Sequence, residues 1–277
     1  MKAYQLVGID VAMHLLRPGA KWEITGGVGF TRWDDPRPCP TMEEVMETVE
    51  KIKAFEESIN TRKDVGPPWQ HPKGVGFVNI YGVFPTPIGK FTLDREFTDF
   101  ETKFCTSQET TQNMGNTTSA DRYVLKHKRM AKLREFVETS VAEYAKAIHA
   151  PKNDVTFRIT QSWFNYTKPG QFHHKHAHPN SFISGVLYMK ALRESDKIHF
   201  YNDAYKAIKI PTENWNLYNS ESWWFEVGTG DLMLFPSSLT HSVEPVQGEE
   251  RISLAFNTFP VGYVGQEENL TALHLRD

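Results

Sequence analysis

His173-His174-Lys175-His176-Ala177-His178-Pro179 places four imidazoles within six residues, and His241 lies far downstream with Arg251 ten residues beyond it. Imidazole suits iron, copper, nickel and zinc. On an extended strand residues i and i+2 face the same side, so His176 and His178 can reach one cation while Ala177 faces away. His174 and His176 share that spacing and offer a second register; a solvated loop cluster is the competing reading. His241 follows Phe235-Pro236-Ser237-Ser238, a strand end and turn, from which a side chain can point into a barrel mouth and complete a three-ligand set. Arg251 and Ser253 share one face of a strand whose other face is Ile252, Leu254 and Phe256. An inward arginine there needs an anion, because an unpaired buried charge is very costly. A carboxylate ligand held by the guanidinium fork meets that need, as does an ion pair with Glu249, Glu250 or another acid.

Strands must position these groups. After Pro151 short apolar segments alternate with turn residues at 155–166, 182–189, 198–201, 223–227, 231–235, 242–246 and 251–259, the spacing of a sandwich or barrel. Ahead of them Met130, Leu133, Val137, Val141, Tyr144 and Ile148 keep a helical period up to Pro151. Asn165 faces inward at a strand end before Gly170, where it can orient a water or ligand, or cap a turn. Ser162-Trp163-Phe164 and Trp223-Trp224-Phe225 read first as core and second as the lining of a substrate groove. The first sixty residues stand apart, with a strand expected over 4–11, turn signals at Gly26-Gly27, and a helix opened by a Thr41/Glu44 capping box. Met42, Val45, Val49, Ile52, Phe55 and Ile59 carry that helix. The expected division is a small α+β module at 1–60, a linker at 61–74 containing Gly66-Pro67-Pro68, and a main domain at 75–277.

A formal charge of −3 provides no basic footprint for nucleic acid. Cys39 and Cys105 are too few for a disulfide framework or a zinc cluster and fit a reducing compartment. No apolar run approaches the roughly 20 residues of a membrane span, and the first residues lack a secretory pattern. A soluble cytoplasmic protein is expected.

Taken together, residues from about 74 to 277 resemble the iron- and 2-oxoglutarate-dependent dioxygenases, on the prolyl-hydroxylase-like branch. Gly170-Gln171-Phe172 followed by His176-Ala177-His178 resembles that branch's glycine and His-x-Asp motif. Val186-Leu187-Tyr188-Met189 resembles the strand that follows, and His241 with Arg251-Ile252-Ser253 resembles the distal histidine and the Arg-x-Ser pair. His176-Ala177-His178-Pro179-Asn180-Ser181, Ser184-Gly185-Val186-Leu187-Tyr188 and Val83-Phe84-Pro85-Thr86-Pro87 resemble one set within these oxygenases.

The resemblance implies a mainly β fold with flanking helices: a double-stranded β-helix (jelly-roll, cupin-like) core plus a small N-terminal α+β appendage. It implies Fe(II) held by His176, His178 and His241. It also implies 2-oxoglutarate as cosubstrate, gripped by Arg251 with Ser253 and Tyr188, and hydroxylation of an unspecified substrate. One departure stands out, because the usual facial triad has a carboxylate where this chain has His178. Three histidines is the preferred reading, with a carboxylate from Asp203, or an altered activity, as the alternatives. The rival functions are a non-catalytic cupin-like metal-binding module, a virion-associated interaction protein whose first sixty residues dock a partner, and a three-histidine iron dioxygenase that does not use 2-oxoglutarate. Residues 1–60 faintly resemble short tailed-phage modules, which would place the chain in a host cytoplasm.

Overall fold

In the computed structural model the described residues are 9–17, 19–25, 29–60, 84–203 and 210–276, and the chain divides into two compact units. The smaller unit draws on residues 1–78 and 211–216. It contains α1 (Ile9–Leu16), β1 (Lys21–Thr25), β2 (Gly29–Asp34) and α2 (Met42–Asn60). The strand expected over 4–11 is corrected at its described end: Ile9, Ala12 and Met13, at i, i+3 and i+4, form a helical stripe buried with Val45 and Val49. The capping box of α2 is present, with Thr41 N–H donating to Glu44 Oε2 at 2.7 Å and Glu44 N–H to Thr41 Oγ1 at 3.1 Å. The side chains of Phe55 and Ile59, the linker expected at 61–74, and Val83 lie outside the described residues.

The larger unit comprises residues 79–210 and 217–277. Its elements are β3 (Gly89–Thr92), α3 (Asp99–Thr106), β4 (Thr110–Gln112), β5 (Thr117–Ser119), α4 (Ala131–His149), β6 (Val155–Thr167) and β7 (His173–His176). There follow β8 (Ile183–Lys190), β9 (Lys197–Tyr201), β10 (Ser222–Glu226), β11 (Asp231–Pro236), β12 (His241–Val243), β13 (Arg251–Val264) and β14 (Leu273–Leu275). One sheet runs β3-β11-β8-β13-β6-β5-β4, with β14 paired to β13; the other runs β10-β9-β12-β7. The pairs are antiparallel throughout. This is the double-stranded β-helix core with flanking helices.

Strand alternation sorts the side chains of the large sheet onto two faces. Leu187, Leu232, Leu234, Leu254 and Phe256 pack with Leu133, Val137, Val141 and Tyr144 of α4. The opposite face supplies Tyr188, Met233 and Phe235, which cluster with Ile198 and Phe200 of the short sheet. At one end of that inner face the apolar run gives way to Asn165, Thr167, Arg251 and Ser253, which line a cavity. Close packing fixes the sheet above it. A Cβ on Gly185 would strike the Phe256 ring and come within 2.7 Å of Leu234 Cδ2, so a larger residue there would require these buried side chains to shift.

Candidate metal centre

Two turns aim the histidine strands. Lys168-Pro169-Gly170-Gln171 closes with Gln171 N–H donating to Lys168 O at 2.9 Å, and Gly170 takes φ +79°, as position three of a type II turn requires. Pro236 to Leu239 closes with a 2.9 Å bond from Leu239 N–H to Pro236 O. These turns bring β7 beside β12, so that His176 and His241 stand directly opposite each other. Directly opposed residues project to the same face, and the two ring centroids are 4.4 Å apart. His178 lies just beyond β7, held by its N–H to Ser237 O at 2.9 Å, and its ring stacks on His241 at 5.1 Å. The ligand nitrogens of His176, His178 and His241 all lie within 4.8 Å of one another.

Backbone carbonyls orient two of these rings. Nδ1 of His176 is 2.7 Å from His174 O, and Nδ1 of His241 is 3.0 Å from Leu239 O. Each Nδ1–H therefore donates, and each Nε2 keeps its lone pair for a metal. His178 Nδ1 faces the amide Nδ2 of Asn257 at 3.4 Å, while Asn257 Oδ1 accepts from Ser184 Oγ at 2.7 Å. A half-turn of that amide lets Oδ1 accept from His178 Nδ1–H and frees the third Nε2 in the same way. Burial, followed by the neighbouring His176, lowers His178 to about 4 and His241 to about 3, and burial also lowers His176. Burial thus favours the neutral form of all three imidazoles, the form that a metal ligand requires. This donor set fits a first-row divalent cation.

The cavity beside the histidines is lined by Asn165, Tyr188, Arg251 and Ser253. Ser253 sits opposite Tyr188 on one side of β13 and opposite Asn165 on the other. Tyr188 OH and Asn165 Oδ1 are buried with no hydrogen-bond partner among the described residues. Unpartnered buried polar atoms are costly, so this wall fits a polar ligand. Arg251 is 3% exposed, and the acid that faces it is Asp196, at 3.1 Å from Nη1, not Glu249 or Glu250. Glu249 pairs instead with Lys190 at 2.9 Å. Among the described residues the bond from Nη1 to Asp196 leaves Nε and Nη2 of the Arg251 guanidinium for a second acceptor.

Other candidates fall elsewhere. Asp203 accepts from Lys175 at 2.9 Å, is half exposed, and does not join His176, His178 and His241. Trp163 lines the metal cavity, whereas Phe164 is in the outer core. Trp223 and Phe225 line a larger open groove with Phe200, Tyr201 and Thr240, next to His241 in sequence; Trp224 is on the other side of β10 with Lys197 Nζ 3.8 Å over its ring. Asp196 and Asn257 escape a reading of the sequence. Asp196 follows Arg193-Glu194-Ser195 in a charged loop, and nothing in that pattern marks it as buried.

Comparison with known proteins finds similarity in the region that holds this geometry. Residues 161–257 match the family model described as "Putative 2OG-Fe(II) oxygenase". The matched segment is about a third of the chain and contains every side chain of the cavity named above. A search of curated proteins finds no match. Among solved structures, HygX from Streptomyces hygroscopicus with nickel, 2-oxoglutarate and hygromycin B bound aligns over 69% of this chain and 92% of its own, at 12% identity and TM-score 0.45. A Pseudomonas putida prolyl-4-hydroxylase aligns over 63% and 94%, at 15% identity and TM-score 0.42. A 2OG-Fe(II) oxygenase-family oxidoreductase from Burkholderia pseudomallei covers 61% and 85%, at 11% identity and TM-score 0.44. Among the described residues no helix is long and apolar enough to cross a membrane.

Proposed function

We propose that this chain is an iron- and 2-oxoglutarate-dependent dioxygenase that hydroxylates a substrate at the groove beside the histidine cluster. The observation that carries this reading is the convergence of three imidazoles next to a buried arginine and two unpartnered polar atoms, inside a segment of the oxygenase family. His176, His178 and His241 are the metal ligands in this reading. Ferrous iron and 2-oxoglutarate, once bound, would supply the activation of oxygen, with loss of carbon dioxide and formation of succinate. Three neutral imidazoles provide no charge to offset a divalent cation, which an anionic cosubstrate would supply. Nε and Nη2 of Arg251 would hold a carboxylate of that cosubstrate, Tyr188 OH would donate to it, and Ser253 would add a hydroxyl from the same wall. Asn165 orients a water or the cosubstrate from the opposite strand. Trp163, Val186, Ile198 and Ala255 supply apolar lining to the same cavity. Two free thiols, Cys39 and Cys105, support a reducing, cytoplasmic setting.

The donor set favours one second reading, a three-histidine iron dioxygenase that takes no 2-oxoglutarate, because Asp196 already offers Arg251 an anion. Anaerobic titration separates the two. The first reading expects 2-oxoglutarate to change the absorption of the Fe(II)-loaded chain and succinate to form on adding oxygen. Fe(II) binding with no response to 2-oxoglutarate selects the second.

A further inference from the structure

β7 carries one residue more than its partner. His176 pairs with His241, yet His173 pairs with Val243, so three steps along β7 match two along β12. A bulge of this kind re-aims side chains. Here it turns His173 to the same side as His176, with ring centroids 4.6 Å apart and planes at 21°. The His174 ring lies 5.3 Å from His173 and 4.8 Å from His176. The ligand nitrogens of His173, His174 and His176 lie within 4.8 Å of one another, a second three-imidazole cluster that shares His176 with the first.

Sharing decides what the second cluster can do. Nδ1 of His176 is committed to His174 O at 2.7 Å, so Nε2 alone is free. One Nε2 binds one ion, and the two clusters cannot both be full. His174 is itself oriented, with Nδ1 3.4 Å from Met114 O. His173, His174, His176 and His178 are all partly exposed and His241 is 4% exposed, so the only buried imidazole of the two clusters belongs to the inner one. An ion arriving from solvent meets the outer cluster first. Nitrogens around a tetrahedral ion with metal–nitrogen bonds of about 2.0–2.1 Å are separated by roughly 3.3 Å, so each cluster must contract, and its stacked ring pair turn, to close on an ion.

We propose that His173, His174 and His176 form a capture site for a divalent first-row cation, which is handed inward to His178 and His241 by pivoting on Nε2 of His176. The hand-off rests on the inner cluster being the resting metal site; the capture site does not.

Co(II) alone, followed by its visible absorption and by calorimetry on the full chain, tests this. The His178→Ala/His241→Ala chain should still bind one Co(II), at least about tenfold more weakly than the parent, and adding His174→Ala should abolish that binding. In the otherwise intact chain, His174→Ala should leave one Co(II) bound with affinity within about threefold, while slowing capture in stopped-flow at least about tenfold. No Co(II) on the double variant, an unchanged capture rate, or two Co(II) per parent chain would each overturn the proposal. Should the double variant not fold, the capture rate of the single His174→Ala chain decides. Parent Co(II) binding that ignores His178→Ala/His241→Ala but is lost with His174→Ala would leave the outer site standing and remove the function proposed above.

Discussion

Arg251→Met removes a cation from a buried pair and keeps most of the side-chain volume. Asp196 loses the nitrogen at 3.1 Å and retains the Leu192 N–H at 2.8 Å, with its side chain 5% exposed. Removing one partner of a buried ion pair costs about 3–5 kcal/mol. At roughly 2–4 °C per kcal/mol for a chain of this size, the melting temperature should fall by about 6–20 °C. Asp196→Asn in the same chain neutralises the stranded carboxylate and should recover more than half of that loss. The double variant then isolates binding from folding. It should hold Fe(II) like the parent, but its 2-oxoglutarate dissociation constant should rise at least about tenfold, because a lost charge-assisted grip is worth on the order of 2–5 kcal/mol. Thermal melts followed by circular dichroism, with anaerobic calorimetry for the two ligands, provide both numbers. Parental stability in Arg251→Met, or parental 2-oxoglutarate affinity in the double variant, would refute the reasoning.

The other predictions concern the histidines. His178→Asp restores the more usual carboxylate and should retain one Fe(II) per chain in an anaerobic titration; loss of the metal would show that His178 serves another purpose. Asn257→Ala removes the group beside His178 Nδ1 and should weaken Co(II) binding by about 10–100-fold, the usual effect of losing a partner that orients a ligand, while the melting temperature of the metal-free chain stays within a few degrees. The pH dependence follows from His241, which burial lowers to about 3. Between that value and roughly 6.5 the unfolded chain binds a proton that the folded chain refuses, so metal-free stability is full above about pH 6.5 and declines as pH falls. At pH 5 His241 alone should subtract about 2 kcal/mol, and a urea midpoint that does not move between pH 7 and pH 5 would contradict it.

The β-helix core was legible because its strands alternate so clearly. Ile252, Leu254 and Phe256 against Arg251 and Ser253 separate the two faces of β13, and the structure places the first three in the outer core and the last two on the cavity. The period of α4 and the capping box of α2 were equally local signals. Thr98 and Glu101 carry the same box at the start of α3, so that helix was readable too. What stayed hidden depends on register and tertiary contact. A bulge in β7 has no sequence signature, so the inward turn of His173 could not be foreseen. The pairing of Asp196 with Arg251 spans 55 residues, and Asn257 reaches His178 from a different strand. Residues 9–11 were read as strand because a short apolar run suits either element, and only burial against α2 selects the helix.

One measurement bears most directly on the central claim. The parent chain and His241→Ala are loaded anaerobically with Fe(II) and 2-oxoglutarate and exposed to oxygen, and succinate is quantified against bound iron. The account predicts one Fe(II) per parent chain with succinate above the no-protein background, and from His241→Ala iron bound at least about tenfold more weakly and no succinate. Stoichiometric iron on the parent with no succinate, or equal iron affinity in both chains, would contradict it.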